Sequence, residues 1–176
     1  MIHKRIENIA IKILDKFGIT KLPIPIKEIA IKMGLGVKPY DLGENVSGVL
    51  VVEKGEGYIG YNFNDPPVRR RFTIAHELGH YELHHVHSET SSLFIDNQFR
   101  IEFRNQSSST GEQQKEIEAN AFAAAILMPR HLLIKEIDNN HLDLSDDKNL
   151  HLLAKKFNVS ISAMTYRLNN LDFFNN

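Results

Sequence analysis

The spacing of apolar residues switches from a helical period to a strand period and back along this chain. Across residues 3–17, Ile6, Ile9, Ile13 and Phe17 recur every three or four positions, with charged residues opposite. That pattern predicts an amphipathic helix, ended at Gly18. Leu22-Pro23-Ile24-Pro25 reads as an extended connector, because proline holds its predecessor in extended backbone. Residues 26–33 predict a second short helix, stopped by Gly34. The period then shortens. Residues 37–41, 46–53 and 58–62 are rich in β-branched and aromatic side chains and are separated by glycine-containing turns. They predict a small antiparallel sheet, with Lys54-Gly55-Glu56-Gly57 as a hairpin loop.

Asp65-Pro66-Pro67 breaks the last strand and opens a helix over residues 68–85, since proline suits the first helical turn. Residues 86–111 are the least regular part, with a strand expected over 94–103 and a polar loop over 106–111. Residues 112–127, rich in Ala, Glu and Gln, predict a strong helix that Met128-Pro129 ends. Three more helices are expected near 130–138, 146–157 and 160–171. The expected class is α+β: a small antiparallel sheet packed on the 68–85 helix, with a C-terminal helical part. The boundary is expected near Pro129, giving regions 1–129 and 130–176.

Composition narrows the chemistry. Apolar residues make up 42% and charged residues 24% of the 176, a globular balance. The net charge of −1 argues for neither nucleic acid nor membrane. The first 40 residues are locally basic, which reads as a solvated helix face. Cysteine is absent, so disulfides, thiolate metal sites and cysteine nucleophiles are excluded. A metal must use His, Asp or Glu, and the chain has nine histidines. The N-terminus lacks the unbroken apolar run of a signal peptide, and no stretch reaches the length of a membrane span. The expectation is a soluble cytoplasmic protein.

One segment carries chemistry. His76-Glu77-Leu78-Gly79-His80 has the H-E-x-x-H pattern within the predicted 68–85 helix. Positions four apart share a helix face, so both imidazoles can reach one zinc ion at about 2.0–2.1 Å. Glu77 is rotated by roughly 100° from His76, which suits a general base beside the metal. Phe72, Ile74, Ala75 and Leu78 surround the motif and predict a buried helix, where unpartnered polar groups are costly. Gly79 is expected to admit close approach by a strand or substrate. A tetrahedral site needs a third protein ligand, and no downstream histidine has the required spacing. Among Glu112, Glu116 and Glu118, Glu116 shares a face with Asn120, Ala123 and Leu127. It is the expected third ligand, with Asn120 accepting a hydrogen bond from a ligand imidazole. Glu118 points away and reads as a solvated charge.

Three segments in order resemble the ImmA/IrrE family of metallopeptidases, zinc enzymes of the Glu-zincin type. They are R-R-R-F-T-I-A-H-E-L-G-H-Y-E-L-H from Arg69, E-I-E-A-N-A-F-A-A-A-I-L-M-P from Glu116, and L-A-K-K-F-N-V-S-I-S-A-M-T-Y-R-L from Leu153. The strand V-S-G-V-L-V before them also fits. The resemblance implies zinc held by His76, His80 and Glu116, Glu77 as catalytic base, and Asn120 supporting a ligand histidine. It also implies a small sheet on the active-site helix followed by a helical part.

Other residues stay open at this level. His84, four beyond His80, is a candidate for substrate or oxyanion contact, or a helix-end histidine near the C-terminal dipole. Tyr81 and His85 rank behind it. Arg69, Arg70 and Arg71 read as structural ion pairs. Residues 58–62 are a candidate edge strand for pairing with an extended peptide. Residues 152–171 look like a helix-turn-helix, yet the second helix offers only Arg167 as a cation, and phosphate contact normally needs several. Packing or recognition of a protein is therefore expected ahead of DNA binding. The functional expectation is a zinc metalloendopeptidase whose substrate, by resemblance, is a helix-turn-helix repressor. Cleavage would relieve repression of a mobile element or stress regulon. The alternative is a non-enzymatic antirepressor or DNA-binding regulator that retains the fold.

Overall fold

A computed structural model of the chain describes residues 2–85, 92–97 and 111–174. The expected polar loop over 106–111, apart from Gly111, and the far half of the expected 94–103 strand lie outside the described residues. The chain divides into two compact units. Residues 26–123 form one; residues 1–25 and 124–176 form the other. The α+β class is as expected. The division differs from one at Pro129, because the first helix groups with the C-terminal helices.

The unit of residues 26–123 contains α2 (Ile26–Lys32), β1 (Gly36–Tyr40), β2 (Val46–Glu53), β3 (Glu56–Asn62), α3 (Pro67–Glu82) and β4 (Ser92–Asn97). Most of α4 (Gly111–Leu127) also belongs to it. β2 and β3 form a hairpin closed by Lys54 and Gly55, both at positive φ, the backbone a two-residue turn requires. The strand order is β1-β3-β2-β4. β1 pairs with β3 in parallel, so the sheet is mixed rather than wholly antiparallel. The same pairing corrects another expectation: β3 is an inner strand flanked by β1 and β2 and offers no free edge to a peptide. The outer position of β1 suits its Pro39, which has no N–H to give a ladder.

Leu50 and Ile59 are register partners and both are buried. Cross-strand partners point to the same face. α3 packs on β2 and β3, and every position of the helix from Thr73 to His80 is buried. A Cβ on Gly48 of β2 would lie 2.4 Å from Thr73 Cγ2, and one on Gly57 of β3 would lie 2.9 Å from the Tyr81 ring. Those glycines let the helix lie close along the hairpin. As expected, proline opens α3. The helix ends at Glu82, three residues earlier than expected, because His84 takes left-handed backbone (φ 56).

The other unit contains α1 (Ile2–Lys16), the last turn of α4, α5 (Arg130–Asn140), α6 (Asp147–Phe157) and α7 (Ile161–Asn170). Ile6, Ala10, Ile13 and Leu14 bury the apolar face of α1, while Lys4, Arg5, Lys12 and Lys16 are exposed. α6 and α7 have the helix-turn-helix arrangement read from the sequence. Asp146 caps α6 by accepting from Lys148 N, and Ser160 caps α7 by accepting from Ala163 N. Asn158 makes the turn in left-handed backbone. Leu153, Ala154, Phe157, Met164 and Leu168 are buried. Arg167 is buried too. Its Nε donates to the Met128 carbonyl at 3.0 Å, and its two terminal nitrogens grip the Glu7 carboxylate, Nη2 at 2.9 Å and Nη1 on the second oxygen. The cation expected to face outward on the second helix is thus committed inward. No single helix among the described residues is long and apolar enough to cross a membrane.

Candidate metal centre

The four-residue spacing in α3 places His76 and His80 one turn apart, both fully buried. Their Nε2 atoms approach to 2.9 Å. α4 brings Glu116 to both: Oε2 is 3.3 Å from His76 Nε2, and Oε1 is 3.2 Å from His80 Nε2. One donor atom from each residue lies within 4.8 Å of the others. Ligand atoms around a tetrahedral ion with bonds of about 2.0–2.2 Å stand roughly 3.3–3.6 Å apart. The donor set fits such an ion closely, with the two imidazoles slightly tighter than that. Glu116 is the open side, with its side chain 37% exposed.

Electrostatics match the ligand role. Burial pushes the Glu116 carboxyl up, but the two imidazoles facing it outweigh this and hold it at about 2. It is a carboxylate at neutral pH. Burial drives His80 below the ordinary histidine range, against the opposing pull of Glu116. A neutral imidazole is the form that binds a metal. Asn120 is where the helix-face reading puts it: its Oδ1 lies 3.1 Å from His76 Nδ1. An amide oxygen only accepts, so His76 Nδ1 carries the hydrogen and Nε2 keeps its lone pair for the site.

The two helices are held together by what Gly79 lacks. A Cβ there would lie 3.0 Å from Phe122 Cδ1 and 3.2 Å from the Ala119 backbone. The expected close approach at Gly79 is made by α4, not by a strand or substrate. Glu77 is fully buried and faces β2: a Cβ on Gly48 would lie 2.8 Å from its Oε1. The glycine of the V-S-G-V strand thus makes room for the carboxylate.

Two residues near the centre correct the sequence reading. His84 lies past the end of α3 and is exposed, so the helix-face argument that lined it up with His80 does not apply. His85 takes that place. It is buried, and its Nδ1 lies 3.1 Å from His80 Nδ1. Burial and the nearby His80 push its pKa below the ordinary histidine range. Glu118 is not a solvated charge: its side chain is 14% exposed, Oε2 lies 3.4 Å from His85 Nε2, and Oε1 accepts from Gln114 Nε2 at 3.2 Å. Helical periodicity missed both, because His85 sits on the reversing turn after α3 and Glu118 meets a residue outside any helix. Of the three arginines, Arg69 pairs with Asp65 at 3.8 Å.

A buried H-E-x-x-H helix on a small sheet, completed by a carboxylate from a second helix, defines a metallopeptidase-type α+β domain. The chain belongs to the peptidase M78 family, described as the IrrE N-terminal-like domain, whose model matches residues 32–169. The resemblance to ImmA/IrrE metallopeptidases is thereby borne out. The chain is 28% identical over 119 residues to the uncharacterized immunity region protein 2 of Bacillus phage phi105, covering 68% of this chain and 67% of that one. It also resembles the structure of a Mycobacterium tuberculosis transcriptional regulator, with a TM-score of 0.61 at 16% identity. That match covers 94% of this chain, which spans only 46% of the regulator's length, and it concerns the fold.

Proposed function

We propose that this protein is a zinc-dependent metalloendopeptidase that cleaves a transcriptional repressor and so relieves repression of a mobile element or stress regulon. The observation that carries the chemistry is the convergence of His76, His80 and Glu116 on one point, with Glu77 buried in the same helix turn. The three residues would hold zinc, which supplies a Lewis acid for a peptide carbonyl and lowers the pKa of a water. Asn120 orients His76 through Nδ1. Glu77 takes the proton of the attacking water on a carboxylate oxygen and delivers it to the nitrogen of the leaving amine.

A repressor substrate is supported by the name of the phage relative, which places that protein in an immunity region. A protein rather than DNA as partner is supported by the inward commitment of Arg167 and by the exposed Leu152 and Ile161 on the helix-turn-helix. The test is to incubate zinc-loaded protein with a cell extract and map new N-termini by mass spectrometry. Glu77→Gln is expected to keep stoichiometric zinc and to slow cleavage by about 10²–10⁴-fold. Cleavage at the wild-type rate in that variant would remove Glu77 from the mechanism. Release of a repressor from DNA that survives full chelation and leaves the repressor uncut would favour the non-enzymatic antirepressor.

A further inference from the structure

We propose that His85 and Glu118 form a positioning pair that fixes His80 as its Nδ1–H tautomer and so presents its Nε2 to the metal. The inference rests on reading His76, His80 and Glu116 as the metal centre. It begins with the turn after α3. His84 adopts left-handed backbone, and His85 N donates to the His80 carbonyl at 3.0 Å, five residues back. This six-to-one bond reverses the chain. It lays the His85 ring edge-on to His80, with centroids 5.1 Å apart and planes at 71°. Lys115 Nζ holds the His85 carbonyl from α4 at 3.0 Å.

The hydrogen positions then follow from chemistry. His85 Nδ1 and His80 Nδ1 are 3.1 Å apart, so one donates and the other accepts. On the far side of the His85 ring, Nε2 lies 3.4 Å from Glu118 Oε2. A carboxylate only accepts, so His85 Nε2 carries the hydrogen. In a neutral imidazole that leaves Nδ1 as the acceptor. His80 must therefore donate from Nδ1, and its lone pair sits on Nε2, the atom that faces His76 and Glu116. Each ligand imidazole thus has its own acceptor: Asn120 for His76, and His85 backed by Glu118 for His80. Such partners fix ring orientation and raise ligand basicity, and losing one typically costs 10–100-fold in metal affinity.

The test compares His85→Phe, which keeps a planar ring without an acceptor, with His85→Asn, whose Oδ1 can stand near the place of Nδ1. Zinc affinity is measured by competition with a chromogenic chelator. The His80 tautomer is read in the metal-free protein from imidazole ¹⁵N shifts. Phe is expected to weaken zinc binding by about 10–100-fold and Asn by less than about threefold. His80 is expected to be Nδ1-protonated in the wild type and in Asn, and to move toward the Nε2–H form in Phe. Wild-type affinity with an unchanged tautomer in His85→Phe would overturn the proposal. So would equal weakening by Phe and Asn, which would reduce His85 to a packing group. If the wild type itself binds no zinc, the metal-centre reading fails, and the ¹⁵N shifts of the metal-free proteins still decide whether His85 sets the His80 tautomer.

Discussion

Arg167 on α7 and His80 on α3 are both polar, both buried, and both on amphipathic helices, one in each unit. Their partners differ in kind. Arg167 donates to a carboxylate and a backbone carbonyl, so its charge and its donors are answered inside the protein. His80 Nε2 faces His76 Nε2 and a Glu116 oxygen, both sources of lone pairs. Complementary partners complete a structure. Converging donors of the same sense leave a position that a cation satisfies. The difference separates a buried group that holds the fold from one held by the fold for a ligand.

The largest effect is expected where complementarity is removed. Arg167→Met leaves the Glu7 carboxylate without its partner in a largely buried setting. It should cost about 3–5 kcal/mol in urea unfolding. The double variant Arg167→Met with Glu7→Leu should recover most of that loss, because no buried charge is then stranded. His80→Leu in the metal-free protein should cost less, about 1–3 kcal/mol, since it strands the acceptor of His85 rather than a buried charge. A cost for His80→Leu equal to that of Arg167→Met would abolish the distinction.

The second effect comes from filling the position. Free zinc at about 100 times its Kd should stabilise the wild type by about 2.7 kcal/mol. It should give no such gain in His80→Leu or Glu116→Ala. Thermal unfolding with and without a chelator reads this directly. Full zinc stabilisation in Glu116→Ala would move the third ligand away from α4.

The same contrast explains what the sequence made legible. A four-residue spacing is a property of one helix, so His76 and His80 were readable as a pair. Glu116 and Asn120 were readable because they too share a helix face, and the small residues on it mark the side turned inward. The inner place of β3 was not readable. It depends on β1 joining in parallel beyond the hairpin, and a strand's own pattern says nothing about its second neighbour. Arg167 looked like a surface cation because its partner, Glu7, lies 160 positions away. His85 ranked behind His84 because its geometry depends on a left-handed residue that is not glycine, for which the sequence has no plain signal.

The smallest effect on stability should come from Gly79→Ala, and it tests whether the spacing of α3 and α4 tunes the metal centre. Alanine is the better helix former by about 1 kcal/mol. Its Cβ would meet Phe122 Cδ1 at 3.0 Å and Ala119 Cα and O at 3.2 Å. Phe122 is fully buried and has little room to swing aside, and the Ala119 atoms are backbone that moves only with the helix. The gap must open by a few tenths of an ångström, at an overpacking cost of about 1–3 kcal/mol. The two terms nearly offset, for a net loss of about 0–2 kcal/mol. Glu116 lies one turn before Ala119 on α4, so the same shift moves its carboxylate relative to His76 and His80. Zinc affinity should therefore fall by roughly tenfold while the fold stays nearly as stable, because a site loosened by a fraction of an ångström loses function before structure. Unchanged zinc affinity in Gly79→Ala would mean that the contact between the two helices holds the fold alone and leaves the metal centre indifferent to it.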